Sequence, residues 1–317
     1  MVTALTIDDL KASLTLPVFA APMFLISGPD LVVEACRAGV VGSFPASNCR
    51  TTEALETWLQ EITQRLDVLR QAGAATVAPW AINLVLHRTN PRLEADLELV
   101  LRYKPPIVIT ALGSPRRVVE PVHAYGGLVF ADVNSMALAR KAADCGVDGL
   151  ALVASGAGGH TGSISPFAFV PAVRRRWQGA IVLGGAIGDA AAIRAAETLG
   201  ADFAYLGTRF IPTPESLADP EHKRMVIAGT MDDLIVSNAF TGAYASWLRP
   251  SIINAGHDPS ALKPRTGYQF KGQLGDEPKP WKGIFSAGQG IELIDRQESV
   301  AEIVAALKSD YARLAAR

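Results

Sequence analysis

Short apolar runs recur along this chain, each closed by a turn and followed by a helical pattern. They lie at residues 16–21, 39–43, 81–86, 107–111, 128–132, 149–154, 180–184 and 203–207. Rich in Val, Ile and Leu without clean alternation, they read as strands buried on both faces of a parallel sheet. Between them, residues 52–69, 134–145 and 189–199 repeat apolar positions at helical spacing. Two of these stretches end in near-identical words, Cys145-Gly146-Val147-Asp148-Gly149 and Leu199-Gly200-Ala201-Asp202-Phe203. Each sets a glycine where a helix C-cap needs positive φ and then leads directly into a strand. Ala38-Gly39-Val40 plays the same part earlier. Eight βα units of this kind predict an α/β fold, a TIM (β/α)8 barrel rather than a doubly wound open sheet.

After Phe210 the rhythm breaks. Pro212 and Pro214 interrupt it, residues 215–229 read as helical, and 231–281 mix aromatics, prolines and polar residues. The expectation is a smaller, partly helical insert near the C-terminus, residues 215–282, lying over the barrel mouth as a substrate-side lid. The barrel then comprises 1–214 and 283–317. Residues 299–315, with Val300, Ile303, Val304, Leu307, Tyr311 and Leu314 on one face, are expected to return as its last helix.

Barrels place their chemistry at the C-terminal ends of the strands. After the sixth strand comes Ala154-Ser155-Gly156-Ala157-Gly158-Gly159-His160-Thr161-Gly162, four glycines in seven residues around one histidine. Glycine has no Cβ to keep a flat or anionic ligand from the backbone. His160 is therefore the candidate catalytic residue, although a plain glycine-rich turn with a solvated histidine fits the same residues. After the seventh strand stands Gly184-Gly185-Ala186-Ile187-Gly188-Asp189, and after the eighth Gly207-Thr208-Arg209-Phe210. Barrels hold phosphate at these two positions with backbone amides and a helix N-terminus, and the Thr208 hydroxyl can donate as well. Two ordinary βα turns are the alternative.

The first strand ends Ala20-Ala21-Pro22-Met23, small residues and a thioether that can lie flat under an aromatic ring. Asn83 is polar inside an apolar run, so it is either a hydrogen-bonded core amide or a ligand contact. His87 and Arg88 read as solvated, and His123 as a cap on helix-end carbonyls. Phe240, Tyr244 and Trp247 read as either pocket wall or core. No H-E-x-x-H, G-x-S-x-G or Walker A run occurs, and the five histidines lack metal-ligand spacing, so no metal site is predicted.

Composition narrows the class. The chain has 317 residues, 49% hydrophobic, enough for one large core. Thirty Lys+Arg against 31 Asp+Glu leave a net charge of −1, with no basic excess for a nucleic-acid backbone. Three cysteines without a C-x-x-C pair point to a reducing compartment. Residues 1–9 lack the basic flank of a signal peptide, and no uninterrupted run of 18 apolar residues occurs. The expectation is a cytoplasmic protein with a small-molecule substrate and neither nucleic-acid nor membrane partners; a homodimer stays open.

These words together resemble the FMN-dependent nitronate monooxygenases, formerly called 2-nitropropane dioxygenases, over nearly the whole chain. The resemblance rests on Ala20-Ala21-Pro22-Met23 with Ser27-Gly28-Pro29, the Gly158-Gly159-His160-Thr161-Gly162 loop and Gly184-Gly185-Ala186. It continues through Leu199-Gly200-Ala201-Asp202, Gly207-Thr208-Arg209-Phe210 and Ser286-Ala287-Gly288-Gln289-Gly290. It implies non-covalent FMN with His160 near the flavin N5. Ala21, Pro22, Met23, Asn83, Gly158, Gly159, Gly184, Gly185, Ala186, Gly207 and Thr208 become ring and phosphate contacts, and Gln289 a flavin-proximal position.

There are two departures. Asp132 stands where many relatives have Lys, and Gly156 where many have Glu or Gln. The implied reaction is oxidation of alkyl nitronates, with nitroalkanes as possible further substrates, by O2 to a carbonyl compound and nitrite. The alternatives are an NAD(P)H-dependent FMN reductase of quinones or enoyl thioesters, and a flavin-free phosphate-binding barrel lyase or isomerase.

Overall fold

The computed structural model describes residues 4–74, 76–268 and 282–315; part of the expected lid, 269–281, lies outside the described residues. Eight parallel strands form the barrel: β1 (Val18–Ala20), β2 (Gly42–Pro45), β3 (Trp80–Val85), β4 (Ile107–Ala111), β5 (Leu128–Val133), β6 (Gly149–Val153), β8 (Ala180–Gly184) and β9 (Phe203–Leu206). A two-residue strand β7 (Gly159–His160) intervenes outside the barrel. The barrel order is β1-β9-β8-β6-β5-β4-β3-β2, and a parallel bridge between Phe19 and Val41 joins its ends. All eight expected strands are present, shifted by three residues at most.

Helix α1 (Ile7–Ala12) puts Leu10 into the barrel interior from below. The outer ring is α2 (Pro29–Arg37), α3 (Thr52–Gln71), α4 (Leu93–Tyr103), α5 (Arg116–Ala124), α6 (Met136–Ala143), α7 (Pro166–Arg174) and α8 (Ala190–Leu199). Beyond β9 come α9 (Pro220–Ala228), the hairpin β10 (Leu234–Ser237) and β11 (Ala245–Leu248), and α10 (Arg249–Asn254). Helix α11 (Val300–Ala315) completes the ring between α2 and α8, burying Val300, Ile303, Val304 and Leu307. Where an irregular stretch was expected, β10 and β11 pair antiparallel, and β11 pairs in turn with β7.

The repeated sequence words have a shared structural cause. Gly39, Gly146 and Gly200 take φ of +87°, +83° and +107°, the region that favours glycine. The aspartates two residues after Gly146 and Gly200 each accept the amide of the second residue of a neighbouring strand. Asp148 Oδ2 takes Val129 N–H at 2.7 Å, and Asp202 Oδ2 takes Ile181 N–H at 2.8 Å. His123 meets Asp148 at 2.7 Å rather than capping carbonyls, because that carboxylate is the stronger acceptor within reach.

Asp202 also holds Lys11 at 2.7 Å and Arg174 at 2.6 Å. Burial pushes its carboxyl upward, but Lys11, the Ile181 amide and Arg174 outweigh this and hold it below the usual 3.8. A depressed carboxylate stabilises the fold above its unfolded value and loses that contribution as pH falls through the folded one. Asp202→Asn should therefore cost about 1.5–3 kcal/mol at pH 7. In denaturant titrations against pH, the gap from the parent should shrink on acidification.

Inside the barrel, Phe19 packs edge to face on Phe203 at 5.3 Å between centroids and at a tilt on Phe130 at 5.6 Å. They fill the middle layer. Strand periodicity places residues two positions further on over the same inward side, one layer higher. That upper layer faces the barrel mouth.

Candidate active site

The barrel mouth holds a cavity of about 560 Å³. Its floor is the upper barrel layer, where Ala21, Asn83, Asp132 and Tyr205 stand two residues beyond Phe19, Ala81, Phe130 and Phe203. Asn83 is buried and its Nδ2 donates to Asp132 Oδ2 at 3.1 Å. The Asn83 amide therefore serves a second polar side chain at the cavity floor. Asp132 Oδ1 and Tyr205 Oη are buried without a hydrogen-bond partner. They are close enough for the carboxyl, together with burial, to push the Tyr205 hydroxyl up.

Burial pushes Asp132 up to about 7, opposed only in part by Asn83 and Tyr205. For such an acid the folded state binds the proton more tightly than the unfolded chain. Stability is thus highest below the unfolded value and falls as pH rises toward about 7. Asp132→Asn removes this dependence. It should be more stable than the parent by about 2–4 kcal/mol at pH 8 and nearly equal to it at pH 4, measured by denaturant unfolding.

Ala21, Pro22 and Met23 line the cavity from the β1 loop. Asn48 pins this loop: its Nδ2 donates to the carbonyls of Met23 at 3.1 Å and Ser27 at 2.7 Å, and its Oδ1 takes Leu25 N–H at 2.8 Å. The bond holds Leu25 at φ +61°, an uncommon conformation for a side chain of that size, with the residue facing the cavity.

The glycine loops knit together on the opposite side. A Cβ on Gly158 would stand 2.6 Å from Gly288 N, and one on Gly288 would stand 2.6 Å from Gly158 N. Gly156 O accepts the amides of Ala186 at 3.2 Å and Gln289 at 2.9 Å, while Gly288 N donates to Thr208 Oγ1 at 2.8 Å. The Ala186 amide is therefore engaged within the protein, whereas the Thr208 hydroxyl keeps its own proton to donate. Gly158, Gly159, Gly184, Gly185, Ala186, Gly207 and Thr208 all line the cavity; Gln289 does not. Its Oε1 lies 2.8 Å from where a Gly156 Cβ would be, and Gly156 has φ +86°, so Gln289 occupies the space a side chain at 156 would need.

His160 belongs to β7, held against Ala245 of β11. Its ring meets the Tyr268 ring edge-on at 5.8 Å and borders the cavity. The ring remains open to that cavity while surrounded by protein, and this desolvation holds its pKa below the usual 6.5. A second histidine went unmarked in the sequence. His222 of α9 stacks on Phe285 at 4.6 Å and donates Nε2–H to Ser286 O at 2.9 Å. Burial pushes it down to about 4, despite the Ser286 carbonyl and Asp219.

Trp247 lines the cavity, Phe240 packs in the core beneath it, and Tyr244 is exposed. His87 is half-buried rather than solvated, because Thr89 Oγ1 engages its Nδ1 at 2.8 Å; Arg88 is exposed.

The sequence profile of the nitronate monooxygenases matches residues 8–310. This chain belongs to that family. It is an enzyme of the nitronate monooxygenase and flavin oxidoreductase group. A nitronate monooxygenase of Paraburkholderia phytofirmans is 27% identical over 350 aligned positions, covering 93% of this chain and 92% of the relative. A (3aS,4S,5R,7aS)-5-hydroxy-7a-methyl-1-oxo-octahydro-1H-indene-4-carboxyl-CoA dehydrogenase of Rhodococcus jostii is 25% identical, covering 75% and 64%. Among solved structures, the nitroalkane oxidase of Streptomyces ansochromogenes superposes with a TM-score of 0.83 at 22% identity, over 97% and 99% of the two chains. FabK from Thermotoga maritima gives 0.77 at 22%, over 99% and 98%. Both share the barrel. Among the described residues no helix is long and apolar enough to cross a membrane.

Proposed function

We propose that this enzyme binds FMN in the barrel mouth and oxidises alkyl nitronates with O2 to a carbonyl compound and nitrite. The observation that carries the reading is the convergence of three close-packed glycine loops and a polar floor on one cavity, with His160 at its edge. The residues fit a flavin. Gly207 has room on its cavity side, Thr208 keeps a free hydroxyl proton, and two buried polar atoms on the floor lack partners. In this reading Gly185, Gly207 and Thr208 hold the phosphate and Ala21, Pro22 and Met23 lie along the ring. The flavin, when bound, supplies the redox chemistry. The described residues 215–268 and 282 serve as the substrate-side lid.

His160 borders the substrate position. With its pKa lowered by desolvation, the ring can donate one N–H to a nitronate oxygen or accept a proton from a neutral nitroalkane. A base with a lowered pKa stays active further into acid. The acid limb of kcat/KM for a neutral nitroalkane should therefore lie below 6.5 in a pH-rate profile. A limb at or above that value would contradict the role.

A second reading, an NAD(P)H-dependent FMN reductase of quinones or enoyl thioesters, gains support from the indene-4-carboxyl-CoA dehydrogenase relative and from the apolar lining of Leu25, Leu217 and Phe285. Parallel assays separate the two. Oxygen uptake with nitrite release from an alkyl nitronate supports the first, and NADH consumption with a quinone and no nitrite supports the second. A colourless protein that takes up no FMN would point to the flavin-free lyase or isomerase.

A further inference from the structure

The floor trio carries more than the proposed function uses. Asp132 is the one carboxyl in the upper barrel layer, and its surroundings suit a neutral acid better than an anion. Among the described residues no Lys or Arg pairs with it; the donor in contact with it is the Asn83 amide, with the Tyr205 hydroxyl beside it. A buried carboxylate with so little compensation is strongly disfavoured. Oδ1 is sealed beside the Tyr205 hydroxyl, while Asp132 as a whole stays partly open. Oδ2 takes the Asn83 amide, and the residue lines the cavity. The three side chains come from β3, β5 and β9, so rigid strands fix them from three directions.

We infer that Asp132 is carried as a neutral carboxylic acid and donates a hydrogen bond from the cavity floor to an acceptor atom of the bound group. Asn83 holds it in place, with the Tyr205 hydroxyl beside it. The ligand envisaged is a planar heterocycle with a carbonyl oxygen or an unprotonated ring nitrogen at its edge. A neutral Asp132 offers a donor that carries no positive charge. The site can therefore serve an acceptor without supplying a cation. Naming the heterocycle as FMN rests on the proposed function, whereas the protonation of Asp132 does not.

Two measurements test this. The first is infrared spectroscopy of the protein without added flavin, titrated from pH 5 to 9. The expected result is a carboxylic-acid C=O band that shifts in D2O, fades as pH rises through about 7 and is missing from Asp132→Asn. If the parent lacks such a band at pH 5 to 6, the inference is overturned, whatever the variant does.

The second is FMN affinity against pH, read from quenching of flavin fluorescence. Parent affinity should fall by about tenfold per pH unit above the Asp132 titration, whereas Asp132→Asn keeps an amide donor and should show no such fall. The other titratable groups facing the cavity are His160 on β7, Tyr205 on β9, Asp219 and His222 at α9, Tyr268 and Lys282. They are common to both proteins, as is the FMN phosphate, so the ratio of the two affinities isolates Asp132. A ratio that does not change with pH overturns the donor role. If FMN fails to bind either protein, the flavin reading falls, and the infrared band still decides the protonation of Asp132.

Discussion

His160→Asn should keep its fold and its flavin yet lose about 10²–10⁴ of its turnover, the usual worth of a positioned acid or base. The structure separates the backbone from the chemistry at this residue. Pairing of Gly159 and His160 with Ser246 and Ala245 holds the main chain, and His160 lines the cavity. Loss confined to a neutral nitroalkane would assign His160 as the base. Loss with the nitronate as well would assign it to binding or geometry. Unchanged kinetics on both substrates, with flavin bound, would remove His160 from the mechanism.

Gly207→Asp should abolish flavin binding and give a colourless, folded protein. Gly207 is the sharper position for this test than Gly185. A Cβ on Gly185 would stand 2.6 Å from Ser155 O at φ +137°, so a substitution there strains the fold. A Cβ on Gly207 meets only Met23 and Ala21 at 3.5 Å and beyond, which is ordinary contact. The variant therefore adds a carboxylate to the expected phosphate site with little cost in packing. Flavin content and circular dichroism check it together. A yellow variant with full FMN content would show that the phosphate lies elsewhere.

The barrel was legible because its signals are local. Each strand is a short apolar run, and the glycines after α6 and α8 mark helix ends that a single chain position can specify. The cavity loops were legible for the same reason, since glycine clusters directly follow strands. The polar floor was not. Strands buried on both faces lose the alternation that tells inward from outward, so Tyr205 passed as one more apolar residue and Asp132 only as a departure from relatives. His222 and Asn48 come from segments far from the glycine words and reach the site through tertiary packing alone. The β10–β11 hairpin escaped because its strands are short and joined by a loop without a tight-turn signature; its partner β7 has two residues.

The central claim is that the flavin in this cavity takes electrons from a nitronate. Anaerobic mixing of the FMN-loaded protein with an alkyl nitronate, and separately with NADH, tests it through the flavin absorbance. Bleaching by the nitronate with NADH inert is the predicted result; bleaching by NADH with the nitronate inert would contradict it.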